Sequence, residues 1–121
     1  MKTSVAVVGA SGKLGAVVCR LVDESDDFDL VASLTSSSDL NDILAADVVI
    51  DVSLPTISQD VVELAVNNDK HVLVGTSGWS AERIEAIRPL IEAHPGVNVV
   101  FIQNFSLGSA VGSHLATIAA R

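Results

Sequence analysis

Basic residues are scarce. The 121-residue chain carries seven Lys and Arg against fifteen Asp and Glu, a formal net charge of −8. A protein that grips nucleic acid or anionic lipid needs the opposite balance, so neither is expected as a partner. No Lys or Arg stands between Arg20 and Lys70, an interval that holds most of the acids; the plain reading is a solvated acidic surface. Cysteine is nearly absent. Cys19 alone cannot form an internal disulfide, which fits a reducing, cytoplasmic setting. Long apolar runs are missing too. Val5–Val8 and Val48–Ile50 are strand-length, far short of the roughly 20 residues a spanning helix needs. Gly9 and Gly12 interrupt the first apolar stretch, so a signal-peptide pattern is not expected. His71, His94 and His114 lack metal-ligand spacing. Neither a G-x-S-x-G nucleophile elbow nor a G-x-x-x-x-G-K-[ST] phosphate loop occurs.

What is present is apolar content, 49% of the chain, enough to give one domain over 1–121 a buried core without disulfides or metal. Short β-branched runs alternate with segments of helical period. Strands are expected at Ser4–Val8, Phe28–Leu34, Asp47–Val52, His71–Val74 and Val97–Ile102. Between them, Leu14, Val17, Val18, Leu21 and Val22 mark one helix face, and Leu40–Ala46 reads as a short helix. Pro55 opens a helix whose stripe is Ile57, Val61, Leu64 and Ala65, with Asn67-Asn68 as its stop. Ser80 caps a further helix lined by Ile84, Ile87 and Ile91; Pro89 is expected to kink or end it near Arg88. Leu107–Ala120 reads as a last helix. Alternating strands and helices imply an α/β fold with a Rossmann-like, doubly wound parallel sheet. In such sheets ligands sit at the carboxyl ends of the strands. The segments to examine are Gly9–Gly15, Thr35–Ser38, Ser53–Thr56, Gly75–Gly78 and Gln103–Ser106.

The first of these, Gly9-Ala10-Ser11-Gly12-Lys13-Leu14-Gly15, follows a strand and opens a helix with G-x-x-G-x-x-G spacing, a variant of the dinucleotide fingerprint. Gly9 permits the tight turn, Gly12 a close approach to a pyrophosphate, and Gly15 close packing of the helix. The helix N-terminus offers amides and a positive dipole end to phosphates. Lys13 reads either as a phosphate or ribose contact or as a solvated lysine. At the second strand's end, where NAD-preferring proteins carry an acid, stands Thr35, followed by Ser36, Ser37 and Ser38. These hydroxyls suit a 2′-phosphate, although the usual arginine is missing; a plain serine loop is the other reading. Trp79 either covers a cofactor or anchors its loop. Asn104 either bonds a nicotinamide amide or holds a neighbouring loop.

Together these segments resemble the N-terminal domain of the dihydrodipicolinate (4-hydroxy-tetrahydrodipicolinate) reductase family. The family's opening loop matches Gly9–Gly15, its D-F-T-x-P segment is similar to Asp51-Val52-Ser53-Leu54-Pro55, its V-G-T-T-G to Val74-Gly75-Thr76-Ser77-Gly78, and its A-P-N-F-S to Ile102-Gln103-Asn104-Phe105-Ser106. The resemblance implies a cofactor-binding set of Gly9, Ala10, Ser11, Gly12, Lys13 and Leu14 at the pyrophosphate, Thr35 at the ribose, and Gly75, Thr76, Ser77, Ile102, Gln103, Asn104 and Phe105 at the nicotinamide end. It implies NADPH or NADH as cofactor, hydride transfer to a cyclic dihydrodipicolinate-type substrate, a role in diaminopimelate and lysine biosynthesis, and a homotetrameric parent. The family's H-H-x-x-K-x-D-A-P-S-G-T segment is absent from these residues, so the expectation is the cofactor domain of a longer enzyme, inactive alone, whose substrate is held by another domain. Thr35 in place of an acid, Val52 in place of an aromatic, and Ile102-Gln103 in place of Ala-Pro depart from the pattern. An amino-acid dehydrogenase with a similar first domain and a non-catalytic NAD(P)-sensing module are the alternatives.

Overall fold

A computed structural model describes residues 2–102 of the chain. It contains five strands, β1 (Thr3–Val8), β2 (Phe28–Leu34), β3 (Val48–Asp51), β4 (His71–Val74) and β5 (Val99–Phe101). All pairings are parallel, in the order β2-β1-β3-β4-β5. Three α-helices join them, α1 (Lys13–Glu24), α2 (Pro55–Asn67) and α3 (Ala81–Glu92), while a 3-10 helix (Leu40–Ala45) carries the chain from β2 to β3.

The apolar strands supply both faces of the sheet because side chains alternate along each. Val5, Val7, Val48, Ile50 and Leu73 pack with Val18 and Val22 of α1. Their neighbours Ala6, Val8, Val49, Val72 and Val74 pack with Val61, Val62, Ala65 and Val66 of α2, Ile87 of α3 and Ile43 of the 3-10 helix. Each fully buried Val or Ile contributes about 1.5–3 kcal/mol relative to exposure, so the sheet centre dominates the core.

Two expectations need correcting. Of the kink or end expected at Pro89, the end does not occur: α3 continues through it to Glu92. The proline removes one amide bond, to the carbonyl of Glu85. Both residues are exposed, where water can satisfy that carbonyl, and Leu90 and Ile91 beyond it pack on the core. The face of α1 is also narrower than its periodicity suggests. Gly15, Val18 and Val22 are buried, but Leu14 and Leu21 are 38% and 41% exposed. The helix expected at Leu107–Ala120 lies outside the described residues. Among the described residues no helix is long and apolar enough to cross a membrane.

The strand order places a topological switch between β1 and β3. After β1 the chain steps outward to β2, then returns past β1 to lay β3 on its other side. The loops leaving the two strands therefore diverge, and a crevice opens at their carboxyl ends.

Candidate functional site

A cavity of about 360 Å³ occupies that crevice. This falls within the range of small-molecule pockets, about 300–1,000 Å³. Its walls come from three strand ends. Val8, Gly9, Ser11 and Gly12 leave β1; Leu34, Thr35, Ser36 and Ser38 leave β2; Val52, Ser53 and Leu54 leave β3. Leu40 and Ile57 complete the apolar lining, and among the described residues none that lines the cavity carries a charge.

The glycine loop is built by hydrogen bonds to its neighbours. The amides of Gly9 and Ala10 both donate to the Leu34 carbonyl, at 3.0 and 2.9 Å, fastening the loop to the end of β2. Gly9 has φ +89°, and a β-carbon there would lie 2.5 Å from the Val52 carbonyl oxygen, so only glycine fits. Gly12 is different. Its φ of −75° suits any residue, and a β-carbon would meet only the Gly9 carbonyl oxygen, at 3.4 Å. The fold does not need a glycine at this exposed position, which leaves backbone open to an incoming group.

Gly12 is also the N-cap of α1, and it offers no side chain to the helix; the first turn has no acid. The amides of Lys13, Leu14 and Gly15 thus lack acceptors within the helix, at its positive dipole end. Helix α2, beginning at the same crevice with Leu54 as N-cap, is likewise uncapped by any side chain. Away from the crevice, α3 is capped by Ser80, whose hydroxyl accepts from the Arg83 amide, with Glu82 in its first turn.

The β2 end forms a hydroxyl-rich turn. The Thr35 amide donates to Ser38 Oγ at 3.0 Å, the Ser38 amide to the Thr35 carbonyl at 3.1 Å, and Thr35 Oγ1 lies 3.2 Å from Ser37 Oγ. Asp39, the nearest acid, is engaged elsewhere: its Oδ1 accepts from the Asn41 amide and side chain at 3.0 and 3.1 Å, capping the 3-10 helix.

Of the residues expected to bind cofactor, Gly9, Ser11, Gly12 and Thr35 line the cavity. Ala10 packs its methyl on the α1-side core. Lys13 and Leu14 are exposed on the first turn of α1. Gly75, Thr76 and Ser77 share the carboxyl edge of the sheet but not the cavity wall. The Gly75 amide and the buried Thr76 hydroxyl both donate to the Asp51 carbonyl, at 2.8 and 3.2 Å, while Ser77 is exposed. The Ile102 amide donates to the Val74 carbonyl at 2.8 Å. Gln103, Asn104 and Phe105 lie outside the described residues. The wall residues Leu40, Val52, Ser53, Leu54 and Ile57 were not in the expected set. Ser53 and Leu54 fall in the segment Ser53–Thr56 singled out at the end of the third strand, and Val52 in the motif around it, whereas Leu40 and Ile57 reach the wall through strand order, which periodicity does not encode.

Trp79 anchors its loop. It is 6% exposed, its ring lies 4.9 Å from that of Phe101, and the Arg83 guanidinium sits 4.2 Å over it. His71 and His94 bond Asn98 and Asp69 at the opposite, amino end of the sheet. On the solvent face of α3, a hydrogen bond from Arg88 and its charge hold the Glu85 carboxyl below its ordinary range.

The sequence profile described as dihydrodipicolinate reductase, N-terminus, matches residues 3–105. A 4-hydroxy-tetrahydrodipicolinate reductase of Clavibacter sepedonicus is 50% identical over all 121 residues, which span 44% of that protein. One from Cutibacterium acnes is 38% identical over 97% of this chain and 48% of its own length. The chain therefore spans about half the length of these relatives. Among solved structures, the dipicolinate-bound dihydrodipicolinate reductase of Paenisporosarcina sp. TG-14 superposes with a TM-score of 0.75 at 20% identity, covering 99% of this chain and 54% of that one. A Staphylococcus aureus homoserine dehydrogenase gives a TM-score of 0.69 at 23% identity, over 84% of this chain and 32% of that one. These two structural likenesses speak to the fold alone. The profile match and the identity across the whole chain establish that this chain belongs to the dihydrodipicolinate reductase family, matching its N-terminal part.

Proposed function

We propose that the chain is the cofactor-binding domain of a 4-hydroxy-tetrahydrodipicolinate reductase. The observation that carries this reading is the open backbone at Gly12, beside uncapped α1 and next to the crevice cavity. A pyrophosphate needs close backbone approach and free amides, and both are offered here. The apolar walls from Leu34, Leu40, Val52, Leu54 and Ile57 suit an adenine. The hydroxyls of Thr35, Ser36 and Ser38 suit its ribose. Gly75, Thr76, Ser77 and Ile102–Phe105 are assigned to the nicotinamide end, and Lys13 to the phosphates.

The nicotinamide cofactor, NADPH or NADH, supplies the hydride when bound. The chain's own residues bind and orient it. Family membership supports a cyclic dihydrodipicolinate-type substrate, a place in diaminopimelate and lysine biosynthesis, a homotetrameric cytoplasmic parent, and a separate domain that grips the substrate. The family's H-H-x-x-K segment is not among these residues, so the 121-residue chain binds cofactor without turning over. Calorimetry with NADH and NADPH tests the first half, and substrate-dependent NADPH oxidation tests the second. Absence of binding to either nucleotide, or steady turnover by the pure chain, overturns the reading.

A further inference from the structure

The cavity wall that leaves β3 is held from behind by a buried polar chain. Asp51, at the end of β3, is fully buried, and so is Ser58 of α2. A carboxyl group so placed is costly unless its oxygens are hydrogen-bonded. Here Oδ1 accepts from the amide of Ser53, at 3.1 Å, and from its hydroxyl; Oδ2 accepts from the hydroxyl of Ser58. Ser58 Oγ in turn accepts from the indole N–H of Trp79 at 2.7 Å. Over the Trp79 ring, Arg83 donates to the carbonyls of Pro55 and Gly78, at 2.6 and 3.3 Å. Asp51, Ser58 and Trp79 do not line the cavity, whereas Val52, Ser53 and Leu54 do.

We propose that Asp51, Ser58 and Trp79 form a buried strap that sets the position of the Val52–Leu54 wall. They are positioning residues, and nucleotide affinity depends on them without contact. The connection is short. Ser53 is bonded twice to Asp51, and the bare Cα of Gly9 packs against Val52 and Ser53, so a shift of this wall also reaches the glycine loop. Ser58 is the joint. Its single hydroxyl hydrogen is committed to Asp51 and one lone pair to Trp79, which links the end of β3 through α2 to the β4–α3 loop. Removing that oxygen leaves the Trp79 N–H without its acceptor and Asp51 with one donor fewer. The effect on affinity rests on the nucleotide reading of the cavity; the strap itself rests on the hydrogen bonds.

The test uses the 121-residue chain with Ser58→Ala, and Trp79→Phe as a second variant that deletes only the far end of the strap. Amide hydrogen exchange is followed at Ser53 and at Val5–Val8, well below each variant's melting midpoint. Exchange at Ser53 is expected to rise about tenfold or more in either folded variant, while that at Val5–Val8 stays unchanged. A merely structural loss raises both in step and overturns the proposal, as does unchanged exchange at Ser53. Affinity for ADP-ribose and for NADH, by calorimetry, is expected to fall together, on the order of tenfold, because the displaced wall serves the adenosine half. Raised exchange at Ser53 with unchanged affinity overturns the claim that this wall carries affinity. A wild-type chain that binds neither nucleotide sinks the functional reading instead, and the exchange result still decides the strap.

Discussion

The backbone of Gly15 lies against the carbonyl oxygen of Gly9 so closely that a β-carbon on Gly15 would stand 1.9 Å from it. No real contact is that short, so the first turn of α1 is seated on the loop that precedes it. That contact separates three glycines a motif treats alike. Gly9 and Gly15 are demanded by the fold. Gly12, between them, is not, and its missing side chain leaves the backbone there exposed.

Gly15→Ala is therefore expected to destabilise the chain. The obstacle is backbone on both sides, so relief requires α1 to lift from the loop that carries it. Overpacking of this kind costs about 1–3 kcal/mol. Thermal melting beside Gly12→Ala checks it: the Gly12 variant should melt close to wild type, and a Gly15 variant that does the same would show that the loop yields easily.

Gly12→Val is expected to keep the fold and lose the cofactor. The backbone here, φ −75° and ψ 169°, is extended and suits valine. Its branches would fill the approach to the free amides of α1. Circular dichroism and NADH calorimetry on one preparation separate the two effects. Wild-type affinity in the folded variant would remove Gly12 from the phosphate site.

Legibility in the sequence followed the range of the forces involved. His71–Val74 was readable to the residue because Asn67-Asn68 stops the helix before it and Gly75 follows it. The Ser80 cap and the Pro55 start were equally local. Ser58 was not readable. On helical period it is one polar residue beside an apolar stripe, and its burial is tolerable only because Asp51 and Trp79, 7 and 21 residues away, meet it. Pro89 misled in the opposite sense, since the packing of Leu90 and Ile91 outweighs a local break. Thr35 lies on the crevice wall because it follows a strand end, a local feature, whereas Leu40 and Ile57 reach it only through tertiary folding.

The Glu85–Arg88 pair on α3 gives a prediction in pH. The Arg88 hydrogen bond and charge lower the Glu85 pKa, so any stabilisation is present above the unfolded carboxyl's pKa and lost as pH falls through the folded one. Both side chains are more than half exposed, at 53% and 63%, so the effect is small. Melting midpoints of wild type and Glu85→Gln should differ slightly at neutral pH and converge in strong acid. A gap that widens on acidification contradicts the sign.

Cofactor choice is the remaining expectation. An acid at the end of β2 bonds the ribose 2′-hydroxyl and repels a 2′-phosphate. Here Thr35 stands at that place on the cavity wall, and Asp39 is occupied in capping the 3-10 helix through Asn41. The main repulsive element against NADPH is thus missing. Ser36 and Ser38 add donors on the same wall, and the exposed Lys13 on the first turn of α1 adds a cation. Against this, no Lys or Arg lies between Arg20 and Lys70, so a 2′-phosphate would be held by one lysine and neutral hydroxyls. Charge-assisted hydrogen bonds are about twice as strong as neutral ones, so losing Lys13 should weaken NADPH more than NADH. The expected outcome is use of both cofactors, with NADPH preferred on the order of tenfold, about 1.4 kcal/mol. Dissociation constants for both cofactors, with wild type and Lys13→Ala at matched salt, decide it. A wild-type preference for NADH, or equal losses in Lys13→Ala, would show that the serine turn and Lys13 do not read the 2′-phosphate.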